Sequence, residues 1–139
     1  MKIAAAAIVI LALVIGIVPQ FTDCQSQGRA LVLQNGKTVA MKCHWTAQSE
    51  IAMAVPLLGL GVVMGVSKRK ESRRIIAGLG MLLGVFAILL PTVLVGVCAS
   101  ADMLCNSVMK PTLILSGILV IAISVGTLIM SERQAEPVG

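Results

Sequence analysis

Four long apolar runs determine what this chain can fold into, and they cover approximately residues 3–19, 51–66, 75–97 and 111–130. A helix needs about 20 residues to cross the ~30 Å hydrocarbon core of a bilayer. The last two runs reach that length, and the first two fall slightly short of it. Only 12% of the residues are charged, against about 25% in soluble domains. The sequence therefore predicts an all-α membrane protein, with a single four-helix bundle over residues 1–139 and outer loops at 20–49 and 98–110.

The basic residues predict how the bundle is oriented. Five of the eight residues in the segment 67–74 are Lys or Arg, and Lys2 and Arg133 fall on the same side of the membrane. Because cytoplasmic loops are enriched in these residues, we expect a multi-pass protein of the inner or plasma membrane with both termini in the cytoplasm. No small-x-small cleavage site precedes Pro19, so the first run is predicted to be a retained helix rather than a signal peptide.

Short motifs predict local structure in the loops and helices. Asn35-Gly36 lies between two β-prone stretches, which predicts a small extracytoplasmic β-hairpin because both turn positions favour positive φ. Two Gly-x-x-x-Gly motifs place pairs of glycines on one helical face, where helix backbones can approach closely. They are Gly61/Gly65 and Gly80/Gly84. We expect the second and third helices to pack through these faces as a tight antiparallel hairpin across the basic turn.

No ionisable side chain falls inside any of the four apolar runs. Pumps, channels and transporters nearly always keep such residues in the membrane, so their absence argues against those functions for this chain alone. We therefore predict no catalytic residue, no cofactor and no interaction with nucleic acid, and we expect the chain not to be an enzyme.

The four cysteines all fall in or beside the two outer segments, and they are Cys24, Cys43, Cys98 and Cys105. Thiols that face an oxidising compartment tend to form disulfides. Bonds within each loop, Cys24–Cys43 and Cys98–Cys105, are predicted because each loop joins consecutive helices and closes locally. A Cys24–Cys43 bond closes a 20-residue loop, which is worth ~3 kcal/mol by chain entropy.

A second interpretation gives the same region a chemical role. The cluster of candidate ligand or redox residues consists of Cys24, Cys43, His44, Cys98, Met103 and Cys105. Thiolates with an imidazole and a thioether suit Cu(I) or Zn, and a haem is a further candidate. Two cysteine pairs also suit a thiol–disulfide catalyst, although no C-x-x-C pair is present. The structural and chemical interpretations both remain open at this point.

The string Met41-Lys42-Cys43-His44-Trp45-Thr46-Ala47, together with Gly96-Val97-Cys98 and Met103-Leu104-Cys105, resembles a known family. It is a domain-of-unknown-function family of small four-helix membrane proteins from bacteria and archaea. The resemblance implies no established activity. It implies that genes of the family accompany ABC-transporter permeases with large outer domains. We therefore expect a non-enzymatic accessory or scaffold subunit that packs against other membrane helices, either of such a permease or of further copies of itself.

Overall fold

The computed structural model describes residues 2–133 of the chain. Four α-helices account for most of this segment: α1 is Lys2–Thr22, α2 Lys42–Val66, α3 Lys70–Leu89 and α4 Lys110–Arg133. A π-helical segment, Leu90–Leu94, continues α3, and a second one, Cys105–Met109, leads into α4. Each of the four helical stretches is long and apolar enough to cross a membrane. The predicted four-helix membrane fold is confirmed.

The helix boundaries differ from those predicted. The first helix continues through the buried Pro19 to Thr22, because proline is tolerated in membrane helices whose freed backbone groups find other partners. The second begins at Lys42 rather than residue 51, and the third begins at Lys70 rather than 75. Apolar runs identify only the part of a helix that faces hydrocarbon, whereas the polar ends of these helices are helical too. The first turns of α2 are held by burial of Cys43, Thr46 and Ala47.

The predicted hairpin is present, with a different turn. Strand β1, Leu31–Val32, pairs antiparallel with β2, Thr38–Val39. The Gly36 N–H donates to the Leu33 carbonyl at 2.9 Å, and the Leu33 N–H donates to the Lys37 carbonyl at 2.9 Å. Gly36 has φ of 74°, and in the described part of the chain only glycines have positive φ. The loop is therefore a type I turn followed by a left-handed glycine, rather than a two-residue turn with both residues left-handed.

The helices pair as α1 with α2 and α3 with α4, and α2 and α3 share a much smaller contact. A Cβ added at Gly61 would lie 2.8 Å from Val9 Cγ2 of α1, and one at Gly65 would lie 3.5 Å from Ala5 Cβ. Gly80 and Gly84 face α4 in the same manner. The expectation that these glycines join α2 to α3 is wrong. The short basic turn makes α2 and α3 neighbours along the chain, but it does not bring their two glycine faces together.

Candidate functional site

The four cysteines meet at one end of the bundle, and we call them the thiol centre: Cys24, Cys43, Cys98 and Cys105. Cys24 and Cys43 come from the connection between α1 and α2, and Cys98 and Cys105 come from the connection between α3 and α4. Cys24 follows the end of α1, Cys43 is the second residue of α2, Cys98 lies in the loop after the first π segment, and Cys105 begins the second. All except Cys98 are at most 1% exposed, while Cys98 is partly exposed. The ends of all four membrane helices thus contribute to one buried cluster.

The closest sulfur contacts run between the two loops. Cys24 Sγ lies 2.8 Å from Cys105 Sγ, and Cys43 Sγ lies 2.8 Å from Cys98 Sγ. A third contact of 3.7 Å joins Cys24 Sγ to Cys98 Sγ. Within the described structure all four cysteines are free thiols. The contacts form a continuous series from Cys43 to Cys98, from Cys98 to Cys24, and from Cys24 to Cys105.

The described structure contains no disulfide, and its closest sulfur contacts do not match the predicted bonds Cys24–Cys43 and Cys98–Cys105. That prediction assumed that each loop closes on itself, since sequence spacing reports only the length of chain between two thiols. Packing of the four helices brings the two loops into contact and sets the thiols of one against those of the other. Which helix ends adjoin is a property of the bundle, and spacing contains no information about it.

Backbone and side-chain hydrogen bonds position the loop that contains Cys98. The Cys98 N–H donates to Cys43 Sγ at 3.3 Å, and the Thr46 hydroxyl donates to the Gly96 carbonyl at 2.8 Å. Gly96 has φ of 77°, which a residue with a Cβ adopts only at a cost. On the other side of the centre, the Cys24 thiol donates to Met103 Sδ at 3.8 Å.

Burial controls the acidity of the Cys24 thiol. It raises the pKa of Cys24 to about 12, and the hydrogen bond with Cys105 adds to the effect. Cys24 is therefore a protonated, weakly reactive thiol at neutral pH, because the thiolate is the nucleophilic form. Reagents from solution reach the centre first at Cys98, the thiol that is partly exposed.

His44 lies next to the centre but is bonded elsewhere. Its Nδ1 is 3.2 Å from Asp23 Oδ2, and the Ser26 N–H donates to Asp23 Oδ1 at 2.8 Å. Burial alone would raise the pKa of Asp23, but the hydrogen bonds from Ser26 and His44 outweigh it and hold the pKa below the ordinary value of 3.8. This pair links the end of α1 to the start of α2. Of the predicted cluster, the structure brings together the four cysteines and Met103, with His44 as a neighbour.

Three of the thiols have the spacing needed to share a metal ion, since the sulfurs of Cys24, Cys43 and Cys105 lie within 4.8 Å of one another. In a tetrahedral zinc–thiolate site, Zn–S bonds of about 2.3 Å place the sulfurs about 3.8 Å apart. The two pairs at 2.8 Å are closer than that by about 1 Å. The observed arrangement of two close pairs suits bonding between sulfurs better than coordination of one central ion.

The sequence analysis missed Glu50, which is the buried acid of the bundle. Its side chain is 0% exposed, and neither carboxyl oxygen has a hydrogen-bond partner in the described structure. Because α2 begins at Lys42, Glu50 lies inside a membrane-spanning helix, and the expectation that no ionisable residue does so is wrong. The buried stripe Cys43, Ala47, Glu50 and Ala54 has helical spacing, and this spacing in the sequence could have revealed it.

One comparison with known proteins gives a match. The family model described as "Domain of unknown function (DUF4418)" matches residues 3–130. No curated protein and no solved structure matches the chain.

Proposed function

The chain belongs to the DUF4418 family, and we propose that it is an integral membrane protein whose thiol centre exchanges electrons with disulfides at the extracytoplasmic face. The observation that carries this proposal is the series of sulfur contacts that runs from Cys43 through the partly exposed Cys98 and then Cys24 to the buried Cys105. A structural staple needs only isolated pairs. A contact of 3.7 Å between the pairs gives one pair access to the other.

The first step oxidises Cys43 and Cys98, which we call the outer pair because Cys98 is partly exposed. The oxidant is an external disulfide, either of a small thiol or of a protein. Cys98 loses its proton and attacks one sulfur of that disulfide, so that one external thiolate leaves and takes up a proton. Cys43, 2.8 Å away, then attacks the Cys98 sulfur in the mixed disulfide and displaces the second external thiol. The net result is a Cys43–Cys98 bond and two external thiols, with two electrons passed outward.

An internal exchange then moves the disulfide to the buried cysteines Cys24 and Cys105, which we call the inner pair. Cys24 attacks the sulfur of Cys98, and Cys43 leaves and takes up the proton that Cys24 gives up. Cys105, 2.8 Å from Cys24, attacks the Cys24 sulfur and displaces Cys98, which is protonated in turn. The result is a Cys24–Cys105 bond and two reduced outer thiols. Burial raises the pKa of Cys24 to about 12, and Cys43 is as fully buried, so the attacks by these two thiols are expected to be the slow parts of the sequence.

The proposal can be tested by cutting the chain between its halves. Lys68 and Arg69 lie in an exposed, non-helical turn, so a specific protease site inserted there separates α1–α2 from α3–α4. After equilibration in glutathione buffers of different redox poise, acid quenching and protease treatment, a non-reducing gel reports bonds between the halves. We expect the fraction of linked halves to rise with the oxidised share of glutathione.

Matched variants identify the bonds. Cys43→Ser/Cys98→Ser leaves one thiol in each half and should still give linked halves, whereas Cys24→Ser/Cys43→Ser leaves both thiols in one half and should give none. Halves that stay linked at every glutathione ratio would show inert structural bonds and overturn the redox proposal. Stoichiometric zinc or copper in freshly purified protein, with the thiols protected from alkylation, would replace it with a metal site.

The proposed orientation has its own test. The basic turn supports a cytoplasmic location for that end and hence an extracytoplasmic thiol centre. In a cysteine-free background, Asn35→Cys should react with a membrane-impermeant thiol reagent in intact cells, and Ser72→Cys should not. Labelling in the reverse order would place the thiol centre in the reducing cytosol and remove the basis for oxidation by external disulfides.

An accessory or scaffold role is a second candidate, and a specific surface favours it. A cavity of about 290 Å³ opens between α1 and α2, and its small lining residues include Ala12, Gly16 and Ala54. Small residues let a further helix approach closely in lipid, so the occupant we propose is a transmembrane helix of another subunit, such as a transporter permease. Val55→Trp, at an exposed residue that lines the cavity, should then abolish co-purification of that subunit without lowering thermal stability. Retained co-purification would exclude this surface.

A further inference from the structure

Glu50 is the clearest feature of the bundle that thiol exchange does not use. We propose that Glu50 is a proton-binding site inside the membrane domain, holding its proton as a neutral carboxylic acid at neutral pH. Its complete burial and the lack of any partner for both carboxyl oxygens in the described structure point to this role. Intramembrane acidic residues are costly, and they mark proton or ion sites more often than structural ones.

The position of Glu50 places it below the membrane surface. The indole of Trp45 is 60% exposed, as expected for an aromatic anchor at the headgroup level. Glu50 follows five residues later in the same helix, which is about 7 Å further along the axis. It is about 12 Å from the Lys42 end of α2 and about 24 Å from the Val66 end, so the proton has the shorter route from the thiol-centre end.

Nothing on the other helices supplies an opposite charge to an ionised Glu50. Residues 3–22, 75–94 and 111–131 contain no Asp, Glu, Lys, Arg or His. The hydroxyl of Thr46, one turn earlier in α2, donates to the carbonyls of Lys42 and Gly96. Towards that end, Asp23 and His44 form a titratable pair whose members are bonded to each other. An unpaired buried carboxylate is very costly, and binding a proton removes the charge.

The test is infrared spectroscopy, because the carbonyl of a neutral carboxylic acid absorbs at a different frequency from a carboxylate. The full-length protein is purified in mild detergent at pH 7. Its spectrum should show a neutral carboxylic acid carbonyl band that is absent from Glu50→Gln.

The controls separate the protonation of Glu50 from that of other carboxyls and from folding. Glu132→Gln should keep the band, because Glu132 is exposed and pairs with Arg74. If Glu50→Gln fails to fold, Glu50→Leu supplies the reference spectrum, and it should melt at or above the wild-type temperature because it removes an unpartnered buried polar group. An ionised Glu50 in the infrared spectrum or a marked loss of stability in Glu50→Leu would overturn the proposal.

Discussion

The two helix pairs of this bundle are connected alike and packed differently. In the α3–α4 pair, Gly84 and Gly117 bring the two backbones together: a Cβ added at Gly117 would lie 2.9 Å from the Gly84 carbonyl oxygen, and one at Gly84 would lie 3.1 Å from the Gly117 oxygen. In the α1–α2 pair the backbones are less close: a Cβ added at Gly61 would lie 3.2 Å from the Val9 nitrogen, and the Val9 Cγ2 atom would be nearer, at 2.8 Å. The same pair has the 290 Å³ cavity on its surface and contains the buried Glu50.

The comparison indicates that the more rigid contact and the unpartnered buried acid belong to different helix pairs. Contact between two backbones cannot relax by a change of rotamer, so α3–α4 is the fixed half. Contact between a glycine and branched side chains can adjust, and α1–α2 is the half that tolerates a cavity and an unpartnered acid. The thiol centre lies where the two halves meet, because each close sulfur pair takes one cysteine from each half. Oxidation of either pair would therefore join the adjustable half to the fixed one.

The largest expected effect is at the contact between backbones. Gly117→Ala should destabilise the folded protein by about 3 kcal/mol, the upper range for overpacking a core, because the new methyl would also lie 2.6 Å from Ile88 Cγ1. Thermal unfolding in detergent measures the loss. Gly126→Ala on the same helix is the control, since nothing lies within 4 Å of its added Cβ. Equal stability of the two variants would mean that the α3–α4 contact is not the fixed one.

A smaller loss is expected in the adjustable half. Gly61→Ala should cost about 1.5 kcal/mol, because Val9 Cγ2 at 2.8 Å can move while the Val9 nitrogen at 3.2 Å cannot. Gly59→Ala, with open space around its Cβ, should be neutral. A loss at Gly61 as large as that at Gly117, by the same unfolding assay, would erase the proposed difference between the halves.

The Asp23–His44 contact closes the α1–α2 pair at the thiol-centre end. Asp23→Asn should cost about 1 kcal/mol, while Asp102→Asn, at an exposed position, should cost nothing measurable. Because the folded-state pKa of Asp23 is lower than its ordinary value, the contribution is present above pH 3.8 and is lost as the pH falls through the folded-state value. An unfolding temperature that falls equally for wild type and Asp23→Asn on acidification would contradict this assignment.

The smallest effect is expected at the opposite end of the α3–α4 pair. Arg74 Nη2 lies 3.0 Å from Glu132 Oε1, with the side chains 62% and 54% exposed. Exposed ion pairs contribute about 0–1 kcal/mol and are screened by salt. Arg74→Ala should therefore change the unfolding temperature less than Gly117→Ala, Gly61→Ala or Asp23→Asn. A loss exceeding that of Gly61→Ala would show that charges, rather than glycine contacts, hold α3 to α4.

Particular residues show what the sequence could reveal about the fold. The number of helices and the Asn35-Gly36 hairpin follow from patterns along the chain, because hydropathy and turn chemistry are local properties. The partners of Gly61 and Gly80 are not local: a glycine face indicates that a neighbour comes close but contains no information about which neighbour. The sequence motif was thus sufficient to identify packing residues and insufficient to pair the helices.

The thiol centre and Glu50 show the same limit at the candidate site. The four cysteines were recognisable as one cluster because they share one side of the membrane, but their pairing depends on which loops meet. Glu50 falls one residue outside the apolar run that begins at Ile51, whereas α2 begins eight residues before Glu50. Polar residues that are helical and buried are invisible to hydropathy alone, although their helical spacing remains readable.

The π segments on either side of the loop with Cys98 are places where the chain can gain or lose a residue without disturbing the helix packing. In Leu90–Leu94 the Val95 N–H reaches back five residues to the Leu90 carbonyl at 3.1 Å, so each turn contains more residues than an α turn. One residue gained or lost there can be accommodated by a change between π-helical and α-helical turns. The same change inside 76–87 would rotate the packed face by about 100°. When sequences of relatives are aligned, single-residue gaps should therefore fall at 90–94 and 105–109 and spare the glycine-bearing stretches.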